Sequence, residues 1–329
     1  MWGMTAFRER LRQFRSQPER GATAVLAGVL MIGLVGFTGL AVDGGATYAK
    51  HQELQNGADA AALAAAQECA ADEDACTEVN LQTEAAPYGE ANVRNDKETV
   101  STSFDIDLSA QTVTATVTGT KFHWFMPVVG VSESELSPDA TATWGSPYSG
   151  PAMLPLVISQ CEFENALGEP ILGTVLDVYM PKNGQDAECS WGSDYPPGGF
   201  GWLSEAGCEV EVTVDDWVDG DTGVDDPKGC DWESFIGQVV LVPIFDDYDG
   251  NGSHGKFHIV QFAAMEVLGI RPSNGASSQV GQACTTDPEP KEKYHQICIR
   301  GEFIEYVSTA DGYEVGGPET EVSIVRLID

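Results

Sequence analysis

Residues 19–67 read ERGATAVLAGVLMIGLVGFTGLAVDGGATYAKHQELQNGADAAALAAAQ, and the rest of the chain is arranged around them. Gly21 to Val42 carries no charged side chain. At about 1.5 Å of rise per residue this run extends roughly 33 Å as a helix, matching a bilayer core of about 30 Å. A soluble core helix of that length needs a polar stripe; here only Thr23, Thr38 and glycines interrupt the apolar surface. The stretch is predicted to cross a membrane.

The flanks orient it. Arg8, Arg10, Arg12, Arg15 and Arg20 precede the span, Asp43 follows it, and Lys50 is the first later base. Bases collect on the cytoplasmic side, which places the N-terminus inside and the remainder outside. A cleaved signal peptide has a shorter apolar region, about 7–15 residues, ending in a small-residue cleavage site. This run is longer and has no convincing A-x-A at its end, so a retained signal-anchor is expected. Beyond it, Tyr48 to Gln67 is rich in good helix formers. Leu54, Ala58, Ala61, Ala62 and Ala65 recur at helical spacing, a narrow seam that lets another backbone come close. That backbone belongs either to neighbouring membrane helices or to the protein's own exported part. Tyr48, Leu54, Asn56, Asp59 and Leu63 are the expected partner-facing or domain-docking residues of this stalk.

These residues resemble the N-terminal module of TadE/TadG-like proteins of the Flp (Tad, tight adherence) pilus-assembly system. The resemblance rests on Arg20-Gly21 before the span, Ala41-Val42-Asp43 at its end, Tyr48, Leu54-Gln55-Asn56, Ala58-Asp59-Ala60-Ala61-Ala62-Leu63 and the alanines that follow. It covers about the first 70 residues strongly. More weakly, PLVISQCEF, GGFGWL, VPIFDDYDGNG and CIRGEFIEYV are similar to blocks in the exported part of actinobacterial members. The resemblance implies a role in Flp pilus assembly, anchoring or surface display. Its implied partners are pilin or pseudopilin subunits and the inner-membrane assembly platform.

The chain has 329 residues and a net charge of −34, from 17 Lys+Arg against 51 Asp+Glu. Five of those bases precede the span, so the exported part is more acidic still. Nucleic-acid binding is excluded as a working function, because phosphate contacts need a basic face. The eight cysteines, Cys69, Cys76, Cys161, Cys189, Cys208, Cys230, Cys284 and Cys298, all follow the span. An even number confined to the exported side reads as disulfides. Eight allow 105 connectivities; pairing sequence neighbours gives Cys69–Cys76, Cys161–Cys189, Cys208–Cys230 and Cys284–Cys298. Without a C-x-x-C and with few histidines, zinc is a poor alternative.

The expected fold is α+β: a single transmembrane helix continued as an Ala-rich helix, a small α+β module, then a disulfide-rich, mainly antiparallel β domain. By residues, 1–20 form a basic cytoplasmic tail with a helical FRERLRQFR segment, 21–42 the anchor and 43–75 the stalk. The α+β module occupies 76–148 and the β-rich domain 149–329. Within the module, Thr77 to Asn95 is predicted helical with a break near Pro87. TVSTSFDIDLSAQTVTATVTG is predicted as two strands joined at Leu108-Ser109-Ala110, with Val113, Ala115 and Val117 on one side and threonines on the other. KFHWFMPVVGV, residues 121–131, is too short for a second span and is expected as a core helix or a lip packed on the sheet. ELSPDATATWG is read as a further strand. After the Gly/Pro/Ser boundary at 145–155, MLPLVISQCEF, TVLDVYMP, CEVEVTVDDWV, QVVLVPIFDDY, GKFHIVQFAAMEVLGI and QICIRGEFIEYVS are predicted strands, with GGFGWL a buried turn.

Reactive constellations are few. There is no G-x-S-x-G, H-E-x-x-H, P-loop or G-x-G-x-x-G, and no nucleophile–base set, so a non-catalytic protein is expected. The D-x-S-x-S of a von Willebrand A metal site is also missing. The best ion-binding candidate is FDDYDGNGSHGKFH: Asp247, Asp249, Asn251 and the carbonyl of Ser253 occupy positions 1, 3, 5 and 7 of a calcium loop, with Gly252 at 6. Position 12 is His258 rather than Glu, and a strand precedes, so this is not an EF-hand; a polar hairpin is the plainer reading. VDDWVDGDTGVDDP, residues 214–227, carries the same ambiguity. His254 and His258 stand four apart and would share a strand face. A prepilin cut after Gly21 would need Glu where Leu26 stands, which argues against peptidase processing. The alternative function is a membrane-tethered binding module or adhesin, calcium-dependent through Asp247 and Asp249.

Overall fold

The computed structural model describes residues 20–93, 100–165, 167–181, 200–203, 208–221, 229–249, 255–273, 278–284, 294–309 and 312–328. Apart from Arg20, the expected basic tail lies outside them. So do Cys189, Asn251, Ser253 and His254.

One helix, α1 (Arg20–Ala71), joins the span to the stalk over 52 residues, about 78 Å at ideal rise. No proline interrupts it, and packing over its second half offsets the weak propensity of Gly44-Gly45. Asp72 caps the 3₁₀ turn Glu73–Ala75 that follows by accepting from Asp74 N, and a disulfide between Cys69 and Cys76 closes this turn onto the helix end. The chain reverses through α2 (Glu78–Glu84), capped by Thr77, and α3 (Ala86–Ala91), which carries its proline in its first turn. The helix break expected near Pro87 therefore lies just before it.

Strands β1 (Val100–Asp107) and β2 (Thr112–Phe122) form the expected hairpin. Asp107 Oδ1 closes its turn by accepting from Ser109 Oγ (2.6 Å) and Ala110 N (3.1 Å). Alternate residues Val113, Ala115 and Val117 are fully buried, as the period of two requires. ELSPDATATWG divides into β3 (Glu133–Leu136) and β4 (Asp139–Gly145), both paired with β2. The sheet does not end there. After the β-rich domain the chain returns as β15 (Tyr306–Ser308) and β17 (Val322–Ile328), giving the order β1-β2-β4-β17-β15 with β3 on β2. Val325, opposite Trp144, enters the same core as Leu54. The division expected at residue 148 therefore fails at the C-terminal side: the β-rich domain is an insertion in the module's sheet. Non-local strand pairing leaves no local sequence signature.

The inserted domain contains β5 (Pro147–Ala152), β6 (Leu156–Ser159), the one-turn helix α4 (Gln160–Phe163), β7 (Val175–Pro181), β8 (Phe200–Leu203), β9 (Val210–Thr213) and β10 (Trp217–Asp221). It continues with β11 (Val239–Asp249), β12 (Gly255–Arg271), β13 (Val280–Gly281), β14 (Tyr294–Ile304) and β16 (Glu314–Val315). Pairing is antiparallel among the described strands except β6–β11 and β15–β17. A circuit β10-β8-β6-β11-β12 closes on itself, because β12 also pairs with β10 through Trp217 opposite His258. Farther along, β12 pairs with β14, which carries β7. Of GGFGWL, Phe200–Leu203 is thus a strand rather than a turn, and Gly198 and Gly199 lie outside the described residues. The reason for its glycine is close approach: a Cβ on Gly201 would lie 2.3 Å from the Phe257 ring, and one on Gly220 2.4 Å from it. Cys208–Cys230 and Cys284–Cys298 are bonded as sequence neighbours. Cys161 is also disulfide-bonded; its expected partner, Cys189, is not among the described residues.

Candidate functional site: the membrane exit and docked stalk

From Gly21 to Thr38 every residue of α1 is exposed, including Ile32 at 76% and Phe37 at 75%. Eighteen uncharged, mostly apolar positions without a covering element cannot rest in water, since each large side chain held in solvent forgoes about 1.5–3 kcal/mol of transfer free energy. This is the single described helix long and apolar enough to cross a membrane, and it anchors the protein to one.

Covering begins at Gly39 and stays on one face. Gly39, Asp43, Lys50, Leu54, Ala58, Ala61 and Ala65 are buried in turn, a spacing of three, four or seven that keeps one side of the helix against the module, with Ala62 buried beside Ala61. Small residues set the depth of contact. A Cβ on Gly57 would fall 2.6 Å from the carbonyl oxygen of Gly89, so α1 and α3 touch backbone to backbone. Leu54, Ala58, Ala61, Ala62 and Ala65 share a core with Val113, Ala115, Val117 and Trp144.

The five stalk residues therefore separate. Leu54 is fully buried and docks the helix on its own sheet, so it is not available to a partner; the small side chains around it admit that sheet rather than a foreign helix. Leu63 is half-buried and lines an open cleft with Tyr313, Val325 and Leu327. Asp59 is half-buried and accepts from Gln55 Nε2 (3.0 Å), which also donates to the Asp139 carbonyl (3.0 Å). Tyr48 is 69% exposed and Asn56 is exposed; these two present free side-chain surface.

The residue sequence reasoning passed over is Asp43, treated there only as the first charge after the span. It is 1% exposed. Its Oδ1 accepts from Trp124 N (2.9 Å), and its Oδ2 accepts from Phe125 N (2.8 Å) and Met126 N (2.7 Å). Burial acts to raise the Asp43 pKa. The N–H groups of Trp124, Met126 and Phe125, with the nearby His123, outweigh it and hold the carboxyl below its ordinary value of 3.8. Phe125 packs on Gly39, where an added Cβ would lie 2.9 Å from the Phe125 Cβ. The 121–131 segment is accordingly neither a core helix nor a lip on the sheet. It leaves β2, makes one 3₁₀ turn at Met126–Val129 and grips the anchor helix. Trp124 (73%), Val128 (90%) and Val129 (71%) stay exposed. The one available sequence signal was an acid at a helix face otherwise made of glycine and small residues.

In the acidic hairpin, Asp247 and Asp249 lie in β11, opposite His258 and Lys256 of β12. A paired strand holds these two extended; the other two candidate ligands, Asn251 and Ser253, lie outside the described residues. Asp246, not Asp247, meets His258, with Oδ1 2.7 Å from Nδ1, and Asp247 Oδ1 accepts from Tyr248 N. No cluster of three or more His, Cys, Asp or Glu suited to a metal occurs among the described residues.

The exposed span, the buried acid at its end and the docked Ala-rich seam coincide with one known sequence unit. Residues 21–68 match the TadE/G-like family model of Flp pilus-assembly proteins. The matched segment begins where the apolar surface begins and ends one residue before Cys69, so it comprises the anchor and the docking face of the stalk. No curated protein and no solved structure matches the chain.

Proposed function

We propose that this protein is a non-catalytic, single-pass membrane component of Flp/Tad pilus assembly, of the type found in actinobacterial members of the TadE/TadG-like group. Its N-terminus is cytoplasmic and its bulk lies outside the membrane. The observation that carries the reading is the match over residues 21–68, which falls on a helix exposed through the span and docked beyond it. The orientation is supported by the arginines before the span and by the disulfides after it, which form in oxidising compartments. The exposed faces of the span, together with Tyr48 and Asn56, are the surfaces offered to pilin or pseudopilin subunits and to the assembly platform. Because the helix is locked to the exported module, a partner holding the span also fixes that module in space.

The test is deletion of the gene in its own host, with surface pili counted by electron microscopy and pilin measured in whole cells. The proposal expects pili to be lost while pilin persists. Full-length protein restores them, and the exported part on an unrelated anchor does not. Normal piliation after deletion refutes the role.

A further inference from the structure

The segment that grips Asp43 exposes a run of apolar side chains, and it does so at the level where the helix leaves the membrane. Phe122 (49%), Trp124 (73%), Phe125 (46%), Val128 (90%), Val129 (71%) and Val131 (37%) are all exposed. A contiguous apolar patch of this kind in a water-facing domain marks a contact surface. Its occupant follows from where it sits. Phe125 packs on Gly39, which belongs to the apolar span, four residues before Asp43 and so about 6 Å farther into the membrane along the axis. Interfacial elements bury their apolar faces about 5–10 Å into the headgroup and acyl boundary. The patch is thus continuous with a surface that already lies in lipid.

Its chemistry agrees. Residues 121–131, KFHWFMPVVGV, contain no acid in a chain holding 51 Asp and Glu. Lys121 is the base of the segment, with its Nζ 5.7 Å from the Trp124 ring centroid. A tryptophan beside a lysine at the membrane–water boundary is the composition that anchors proteins there, the ring among headgroups and the ammonium toward phosphate.

We propose that the 122–131 loop is a second membrane contact: it inserts its aromatic and valine side chains into the outer-leaflet interface and holds the exported module against the bilayer. The Asp43 clamp sets its depth. One transmembrane helix alone would leave the module free to tilt; with the loop engaged it has a fixed height and orientation. This rests on the membrane-anchor reading of residues 21–42.

The test uses full-length protein reconstituted in phosphatidylcholine liposomes, with bromines at the 6,7 positions of one acyl chain or none. Tryptophan emission is compared between the wild type and Trp124→Phe. Quenching of the other tryptophans, including Trp2, is common to both and cancels in the difference. The proposal expects bromolipid to quench emission that Trp124→Phe lacks, and expects Val128→Asp/Val129→Asp to reduce that difference at least twofold with the disulfides intact. An equal quenched fraction in wild type and Trp124→Phe overturns it and shows that the patch awaits a protein instead. A Trp124 contribution unaffected by the two aspartates also overturns it. Flotation of the same samples separates the two readings: protein that fails to float refutes the anchor, and protein that floats without Trp124 quenching refutes only the loop contact.

Discussion

Asp43→Asn is the sharpest single perturbation of this arrangement. The carboxylate accepts three backbone N–H groups at 2.7–2.9 Å in a site that is 1% exposed. Asparagine keeps the shape but offers one acceptor oxygen. Turned toward Phe125 and Met126, it presents an NH₂ to Trp124 and loses that bond. A hydrogen bond to a charged group is worth about 1.5–3 kcal/mol and a neutral one about 0.5–1.5. Losing one charged bond and weakening two costs roughly 4 kcal/mol, less whatever water recovers. At about 1.4 kcal/mol per tenfold, the Trp124, Phe125 and Met126 amides should exchange a hundredfold to a thousandfold faster. Hydrogen–deuterium exchange of the 122–131 peptide in lipid nanodiscs reads this directly. Asp107→Asn, which disturbs only the exposed β1–β2 turn, serves as the control and should leave that peptide unchanged. Equal protection in wild type and Asp43→Asn refutes the clamp. Because the folded carboxyl titrates below 3.8, the clamp's contribution is complete above the ordinary aspartate pKa. It declines only as pH falls through the lower folded value; wild-type protection of the peptide should therefore hold from pH 8 down to 5.

Gly57→Val places side-chain atoms against the Gly89 carbonyl and should cost about 1–3 kcal/mol by overpacking, seen as a lower midpoint in denaturant with the protein still membrane-bound. Removing the bridge that closes the stalk end with Cys69→Ala/Cys76→Ala should cost about 2.5 kcal/mol by loop-closure entropy for a separation of 7 residues. Asp177→Ala removes the carboxylate 2.7 Å from Arg300 Nη1 and is expected to lower stability by about 1.5–3 kcal/mol, the worth of a hydrogen bond to a charged group, with loosened β7–β14 exchange as the readout. Asn56→Lys, on the exposed side of the stalk, should reduce pilus number without changing the unfolding midpoint, whereas Glu84→Lys should change neither; equal effects would remove the stalk from the assembly surface.

How much of this was legible beforehand depended on whether the cause was local. The span was legible because 22 uncharged residues admit few other uses. The β1–β2 hairpin was legible because strict alternation places Val113, Ala115 and Val117 on one face. The Ala-rich seam showed that something approaches closely, yet its sequence is equally suited to a foreign helix and to the module's own sheet. Only the packing of Leu54 on Gly119 of the module's own sheet, where an added Cβ would lie 2.9 Å from its side chain, decides. The return of β17 to β4 joins residues about 180 apart, beyond any periodic signal. The 121–131 segment was misjudged because a compact aromatic run usually means core. Here Asp43 supplies the hydrogen bonds that let it stand exposed at the helix instead. In the acidic hairpin, turn-forming composition and ligand-like spacing use the same residues, so spacing could not separate strand from ion site.

The measurement that bears most directly on the central claim is site-specific photo-crosslinking in native membranes. A photoreactive residue is placed at Ile32 or Phe37 on the exposed span, and at Leu54 inside the module as reference. Adducts are purified through a C-terminal tag and identified by mass spectrometry. The account predicts pilin-like subunits or a pilus platform protein bound at Ile32 and Phe37 and intramolecular products at Leu54. Adducts only to lipid at both span positions, in cells that are assembling pili, would contradict it.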